Sequence, residues 1–109
     1  MKRGEVWTIA GGPDYAGKPR PALILQDDAF IHTESITLCL LTSELEDGPD
    51  LRIAVSPTAT NGLLKESRVM TDKVSTLPRS KVTKRIGELT WDDMAEVDSA
   101  LMIFLGLSR

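Results

Sequence analysis

Alternating apolar and polar positions along most of the chain predict short β-strands. The segment 5–9 places Val6 and Thr8 on one face and its other side chains on the opposite face, which is the period of an extended strand. The run at 35–41 is apolar on both faces from Leu38 onward, so we expect it to lie centrally in a sheet. Strand-like runs of this kind are predicted at 5–9, 22–26, 35–41, 51–55, 68–74 and 85–89. Pro78 closes the region of the fifth run, and 80–84 is predicted to form one helical turn.

The end of the chain carries a helical pattern instead. Thr90 is followed by two acidic residues in what would be the first helical turn, which is typical of a threonine N-cap. Gly106 suits the position just past the last turn. The apolar positions at helical spacing are Met94, Val97, Ala100, Leu101, Phe104 and Leu105. We therefore predict a helix over about 91–105 whose apolar stripe packs into the core or a subunit contact.

The order of these elements predicts a mainly β fold. Helices do not alternate with the strands, so a doubly wound α/β fold is excluded. Several short strands followed by one amphipathic helix fit a small, strongly bent barrel with the helix laid on it.

Composition indicates an ordinary globular domain. The 109 residues are 41% hydrophobic and 27% charged, so we expect a single domain over 1–109. The sequence has neither an apolar run that could cross a bilayer nor the apolar block of a signal peptide at its start. Cys39 lies in an apolar run and is expected to be buried. These features predict a cytoplasmic protein with no membrane partner.

The charge is distributed unevenly along the chain. The net charge is −3, which argues against a general nucleic-acid coat protein. However, residues 61–90 hold seven basic and three acidic groups, whereas both flanking regions are acidic. This middle block forms either a local positive surface or a set of solvated strand faces, and charge alone does not decide between them.

The residue inventory excludes several kinds of active site. His32 is the only histidine and Cys39 the only cysteine, so neither structural zinc nor a two-histidine nuclease site can form within one chain. Asp27 and Asp28 are adjacent, but no further ligand has the spacing that a metal site requires. We therefore expect no metal and no cofactor.

The remaining candidate chemistry lies at the ends of two predicted strands. Arg20, held between Pro19 and Pro21, opens the second strand, and Thr42 and Ser43 close the third. If these strands pair antiparallel, the guanidinium and the hydroxyls meet at one edge of the barrel. Such a group can bind a phosphodiester and stabilise the charge that develops on it, and RNA supplies its own 2′-hydroxyl nucleophile. Taken alone, Arg20 could equally be a solvated arginine at a strand start.

Seven short stretches, in order and at compatible spacing, extend this interpretation to a family. They are Arg3-Gly4-Glu5-Val6-Trp7, Arg20-Pro21-Ala22-Leu23-Ile24-Leu25, Leu41-Thr42-Ser43, Asn61-Gly62-Leu63 with Ser67, Asp72-Lys73-Val74-Ser75-Thr76-Leu77, Ile86-Gly87-Glu88-Leu89 and Leu105-Gly106-Leu107. On these stretches the chain resembles the MazF/PemK (Kid) family of toxin endoribonucleases from bacterial type II toxin–antitoxin pairs. The resemblance covers nearly the whole chain.

The resemblance implies a fold, an activity and partners. It implies an SH3-like barrel of the CcdB/MazF type, a homodimer with a groove for single-stranded RNA, and a cognate antitoxin. It also implies metal-independent cleavage of RNA to a 2′,3′-cyclic phosphate and a 5′-hydroxyl. The loops at 10–19 and 43–50 are expected to govern which RNA sequence is cut.

The resemblance also implies roles for particular residues. Arg20 and Thr42 match the family's catalytic pair, and Asp72 matches an acidic residue that acts in the Kid branch. The arginine that accompanies this acid in Kid is replaced here by Met70, while Arg68 lies on the same predicted face. Asp72 is thus a candidate base for the 2′-hydroxyl. The side chains expected to contact RNA are Lys18, Ser43, Arg68 and Lys73.

Two alternatives stay open at the level of sequence. The first is a gyrase-inhibiting toxin of the CcdB family, although that family uses a tryptophan near its extreme C-terminus and this chain ends without one. The second is a catalytically inactive binding module of the same fold.

Overall fold

The structure, a computed structural model, describes residues 1–10, 19–46 and 48–108. These residues form six strands and one α-helix. The elements are β1 (Glu5–Ile9), β2 (Arg20–Ile24), β3 (Ser35–Thr42), β4 (Ile53–Val55), β5 (Ser67–Pro78), β6 (Val82–Glu88) and α1 (Trp91–Phe104). Two short 3-10 turns cover Asp28–Phe30 and Arg79–Lys81.

The strands form one antiparallel sheet in the order β4-β5-β3-β2-β1-β6, so β3 is central as predicted. The chain after β4 returns to the far edge of this sheet, where the N–H of Glu88 donates to the carbonyl of Thr60 at 3.0 Å. Glycine permits this contact, because a Cβ on Gly87 would lie 2.3 Å from the carbonyl carbon of Asn61. The sheet is thereby bent back on itself, and the prediction of a small mainly β barrel with a C-terminal helix is confirmed.

Two apolar clusters cover the two faces of the sheet. Alternate residues of the central strands enter different clusters: Leu23 joins the first, whereas Ala22 and Ile24 join the second. Helix α1 covers the first cluster with Val97, and Met94 packs against the same cluster. Burial on both faces explains why the central strands are nearly continuous apolar runs.

Helix α1 begins and ends close to the predicted positions, with Gly106 at φ +74° just past its C-cap Leu105, but its last turn is more exposed than a core stripe would be. The Thr90 hydroxyl accepts from the N–H of Asp93 at 3.0 Å, and the Asp93 carboxylate accepts from the N–H of Thr90 at 3.4 Å. Val97 and Ala100 are buried. Phe104 and Leu105, which were assigned to the same apolar stripe, are about half exposed, because the last turn of the helix lies beyond the core cluster. Within the described residues, no helix is long and apolar enough to span a membrane.

Several predicted boundaries were wrong. Strand β5 continues to Pro78 instead of ending at residue 74, because its second half pairs with the start of β3, a long-range contact that the local pattern does not reveal. Residues 80–84 do not form one helical turn: a 3-10 turn ends at Lys81 and β6 begins at Val82. Strand β2 runs from Arg20 to Ile24 and not over 22–26, because Arg20 and Pro21 already pair with β1.

Candidate active site

A cleft of about 630 Å³ opens where β2 begins and β3 ends. One wall is formed by the start of β2 and the other by the segment that precedes β5. Its charged lining residues, among those described, are Arg20 and Lys65, and none of the described lining residues is acidic. The residues that line it are Thr8, Pro19, Arg20, Pro21, Leu41, Ser43, Gly62, Leu63, Leu64, Lys65, Ser67 and Ile86. The cleft is therefore largely apolar, with cationic groups that favour an anionic ligand.

A polar row crosses the sheet beside this cleft. Ala22 of β2 lies opposite Leu40 of β3, and the same register carried further along both strands aligns Arg20 with Thr42. Thr42 in turn lies opposite Arg68 of β5. Residues directly opposite each other in an antiparallel pair project from the same face, with Cβ atoms about 5 Å apart. The antiparallel pairing of β2 with β3 and of β3 with β5 thus places an arginine residue on each side of Thr42 in the sheet.

Arg20 and Thr42 differ in exposure. Arg20 is exposed on the cleft, at the point where two flanking prolines restrict the backbone. Thr42 is only 8% exposed, and its Oγ1 accepts the N–H of Glu44 at 3.0 Å. That hydrogen bond fixes the hydroxyl oxygen and leaves its own proton for another acceptor. Ser43, the next residue, is exposed and lines the cleft.

Arg68 is held by the segment that connects β3 to β4. Its Nη1 donates to the carbonyl of Leu45 at 3.1 Å and its Nη2 to the carbonyl of Pro49 at 3.0 Å. Met70, which occupies the place of the Kid-branch arginine, is half-buried on the same strand. Arg68 is therefore near Thr42 in the sheet, but its guanidinium is engaged by backbone oxygens.

Asp72 forms a two-point ion pair with Arg52. The Nε of Arg52 lies 2.8 Å from Oδ1 and its Nη2 lies 3.0 Å from Oδ2. The side chain of Arg52 is only 7% exposed and that of Asp72 only 12%. Hydrogen bonds from Arg52 lower the pKa of Asp72 below its usual value, and the charges of Arg52 and Lys73 act in the same direction. The carboxylate is thus a weaker base than a free aspartate.

The remaining predicted RNA-contacting residues are spread around the site. Lys73 is exposed on β5, while Lys18 lies outside the described residues. Sequence reasoning did not single out Lys65, although it lies two residues after the Asn61-Gly62-Leu63 stretch. Asn61 builds this wall of the cleft: its Oδ1 accepts the N–H groups of Thr58 and Leu63, each at 3.0 Å. The sequence signal that could have identified Lys65 was its positive charge close to the Asn61-Gly62 turn.

The Cys39 thiol and the potential metal-ligating side chains outside the cleft offer little further chemistry. Cys39 is fully buried as predicted, and burial together with the nearby Asp72 charge raises the pKa of its thiol to about 12. The thiol is therefore protonated at neutral pH and unsuited to nucleophilic attack. In the part of the chain that the structure describes, no three histidine, cysteine or acidic side chains are grouped so that they could hold a metal ion.

Comparisons with known proteins agree on the family. The model of the "PemK-like, MazF-like toxin of type II toxin-antitoxin system" family matches residues 2–105. The chain is 47% identical over 108 residues to a "Probable endoribonuclease MazF" of Mycolicibacterium smegmatis, and the match covers 99% of each chain.

Solved structures agree with the sequence comparison. A mycobacterial endoribonuclease in complex with its cognate antitoxin has a TM-score of 0.81 and 25% identity, covering 100% of this chain and 98% of that one. A MazE-MazF structure from Deinococcus radiodurans has a TM-score of 0.80 and 25% identity, covering 99% and 97%.

Proposed function

The chain belongs to the PemK-like, MazF-like toxin family of type II toxin–antitoxin systems, and on this premise we propose that it is an endoribonuclease that cleaves single-stranded RNA without a metal ion. The observation that carries the proposal is the alignment of Arg20 with Thr42 at the edge of a cleft that has cationic and no acidic lining among the described residues. The near full-length match to a probable endoribonuclease supports the same activity.

The proposed reaction is an internal transesterification. The 2′-oxygen of the substrate attacks the adjacent phosphorus and the bond to the 5′-oxygen breaks, which leaves a 2′,3′-cyclic phosphate. The departing 5′-oxygen takes a proton from water and becomes a 5′-hydroxyl. Arg20 binds the phosphate and stabilises the charge that develops on it. A guanidinium stays protonated in proteins and is a poor proton donor, so its contribution is electrostatic. The Thr42 and Ser43 hydroxyls donate hydrogen bonds to non-bridging oxygens.

The proton of the 2′-hydroxyl needs an acceptor, and Asp72 is the residue predicted for that role. The pairing with Arg52 lowers its pKa and occupies both carboxylate oxygens. As a base it would have to exchange this partner for the RNA hydroxyl. The assignment therefore remains a prediction, and the pH dependence of an Asp72→Asn variant tests it.

RNA is proposed to follow the cationic side of the cleft. Lys18 and Lys73 are assigned phosphate contacts, and Lys65 joins them because it lines the cleft. A phosphate contact by Arg68, which the sequence also predicts, stays a prediction, because its guanidinium donates to the carbonyls of Leu45 and Pro49. Because phosphate contacts displace counterions, RNA binding is expected to weaken steeply with salt.

The proposed partners are a cognate antitoxin and a second copy of the chain, in the cytoplasm. The antitoxin in a solved relative supports the first of these, and an acidic antitoxin segment would compete with RNA phosphates for the same cations. The exposed apolar side chains of the last turn of α1, which include Ile103 and Phe104, support a subunit contact. Size-exclusion chromatography with light scattering tests the homodimer.

The decisive experiment is cleavage of a long single-stranded RNA by the purified protein in EDTA. We expect cutting to continue, with products whose 5′ ends accept phosphate from polynucleotide kinase without prior phosphatase treatment. Products with 5′-phosphate ends, or activity only after a divalent ion is added, would contradict the mechanism. DNA gyrase supercoiling is assayed in parallel, because inhibition of gyrase without RNA cleavage would instead support the CcdB-like alternative.

A further inference from the structure

The segment that follows Thr42 crosses over one strand of the sheet. Strands β3 and β4 are consecutive in the chain but lie on opposite sides of β5. The described residues of this connection, 43–46 and 48–52, therefore cross the beginning of β5, and they are called the crossing segment below. Arg68 occupies the crossing point, because it lies opposite Thr42 on one side and opposite Ala54 on the other.

Side chains of β5 hold this crossing segment at both ends. Arg68 donates to the carbonyls of Leu45 and Pro49, as described above. Further along the strand, the Thr71 hydroxyl donates to the carbonyl of Leu51 at 2.9 Å.

The ion pair between Arg52 and Asp72 completes the attachment. Gly48, at φ +100°, lies so close to Arg52 that an added Cβ would stand 2.4 Å from the guanidinium carbon. The segment also bonds to itself, because the N–H of Arg52 donates to the carbonyl of Pro49 at 3.2 Å. The crossing segment thus packs over two arginines, one from β5 and one of its own.

We propose that Arg68, with the Arg52–Asp72 ion pair, is a positioning device that fixes the 43–52 segment and thereby sets which RNA bases are accepted beside the scissile phosphate. The segment begins with Ser43, which lines the cleft, and its Glu44 N–H holds the Thr42 hydroxyl. Any shift of the segment is transmitted directly to the two hydroxyls of the site. Arg68 and Asp72 then act through the segment and need not touch RNA. This inference rests on the proposed function, since it assigns specificity to that activity.

The competing interpretation is that Arg68 contacts an RNA phosphate directly, and the two roles differ in measurable ways. Loss of one phosphate contact weakens binding almost uniformly across sequences and reduces the slope of log affinity against log salt by about 0.7 for single-stranded RNA. Loss of a positioning contact leaves that slope unchanged. It lowers the turnover rate and changes the set of sequences cut.

The test compares three variants with the wild type. Arg68→Ala removes the proposed anchor, Lys73→Ala removes an exposed cation of the same strand, and Arg79→Ala is the matched structural control. Arg79 also donates to two backbone carbonyls, those of Thr33 and Ile31, but the segment that it holds does not line the cleft. Each protein is measured for amide hydrogen exchange, for the sequences cut in a long RNA, and for the salt dependence of RNA binding.

We expect Arg68→Ala to speed exchange of the Glu44 and Arg52 amides by at least about tenfold, since two hydrogen bonds are lost. It should also lower kcat by about tenfold and broaden the sequences cut, with an unchanged salt slope. Lys73→Ala should reduce the salt slope and leave the sequence preference intact. Arg79→Ala should loosen 31–34 alone. Gly48→Ala, which displaces Arg52 without removing charge, should reproduce the broadened cutting.

Two results would overturn the inference. One is an Arg68→Ala protein with wild-type exchange over 44–52. The other is a reduced salt slope together with an unaltered cutting pattern, which would make Arg68 a phosphate contact. Failure of the proposed function looks different: the wild type would then cut no RNA. Exchange of the Glu44 and Arg52 amides would still decide in that case whether Arg68 anchors the segment.

Discussion

Two arginines flank Thr42, and the structure uses them in opposite ways. Arg20 on β2 is exposed on the cleft at a strand start made stiff by two prolines. Arg68 on β5 is half-buried and has no proline next to it in the sequence. Its guanidinium donates to two backbone carbonyls of the crossing segment. Their positions in the sheet are nearly equivalent, one on each side of the same threonine. From this difference we expect that the environment of each arginine, and not its distance from Thr42, decides which of the two contacts the substrate.

The same contrast extends to the acidic residues. The Arg20 side of the row has no acidic residue among the described cleft residues, whereas the Arg68 side contains Asp72 paired to Arg52. A cation on the first side can attract phosphate, while the charges on the second side largely satisfy each other. The first side is suited to binding an anion and the second to holding the chain in place.

The largest expected effect is on the exposed side. Arg20→Ala should lower the single-turnover rate of RNA cleavage in EDTA by about 100- to 1,000-fold, the range for loss of one donor to a charged transition state. Its fold should be unaffected because the side chain is exposed. Arg20→Lys, which keeps the charge but loses the planar fork, should recover only part of the rate. Wild-type cutting by Arg20→Ala would place the active site elsewhere.

The second-largest expected effect is on the stability of the fold and concerns the Arg52–Asp72 ion pair on the Arg68 side of the sheet. Asp72→Asn should destabilise the protein by about 1–2 kcal/mol at pH 7, less than for a fully buried pair. Because the folded-state pKa of Asp72 lies below its ordinary value of 3.8, the pair stabilises the fold above that pH and is lost as pH falls through the lowered pKa. Urea unfolding at a series of pH values should therefore show the difference from wild type shrinking below about pH 4. A constant difference down to pH 2 would refute the ion-pair account.

Thr42 lies between the two sides and should show a smaller effect. Thr42→Val keeps the volume of this nearly buried side chain and removes one hydroxyl, so we expect about a tenfold loss of cleavage rate, equivalent to one hydrogen bond. The variant also removes the acceptor of the Glu44 N–H. Thr42→Ser, which retains the hydroxyl, is the control. Equal activity of the valine and serine variants would show that the hydroxyl contributes nothing.

The smallest effect is expected at the outer wall of the cleft. Lys65→Ala should weaken binding of single-stranded RNA by about threefold at moderate salt and reduce the salt slope by about 0.7, as for one exposed phosphate contact. Fluorescence anisotropy at several salt concentrations measures both quantities. Lys84→Ala, on the exposed part of β6 outside the cleft lining, is the matched control and should change neither.

The sequence was sufficient for the features that depend on local chemistry. Prolines around Arg20 and the polar residues at the end of β3 predicted the row at the cleft, because antiparallel neighbours bring such ends together. The cap at Thr90 was equally local. The roles of Arg68 and Asp72 were not accessible in this way. Their partners depend on a segment that crosses β5, and strand order cannot be deduced from alternation alone.

Register irregularity explains a second group of features that the sequence did not reveal. Leu41 pairs with Val69 but Cys39 pairs with Val74, so β5 carries extra residues between these pairs. Asp72 lies in that interval, where an ideal alternation no longer specifies its neighbours. Lys65 was missed for a related reason: its place on the cleft depends on the contact between the preceding turn and the last strand.

The contact between Gly87 and the turn at Asn61 also has a consequence for the newly made chain. One wall of the cleft is docked on β6, which is translated more than twenty residues later. A growing polypeptide that has reached Lys65 holds Arg20 and Thr42 but lacks the surface against which the second wall rests. The cleft is therefore completed only after β6 has been synthesised and has docked on this turn.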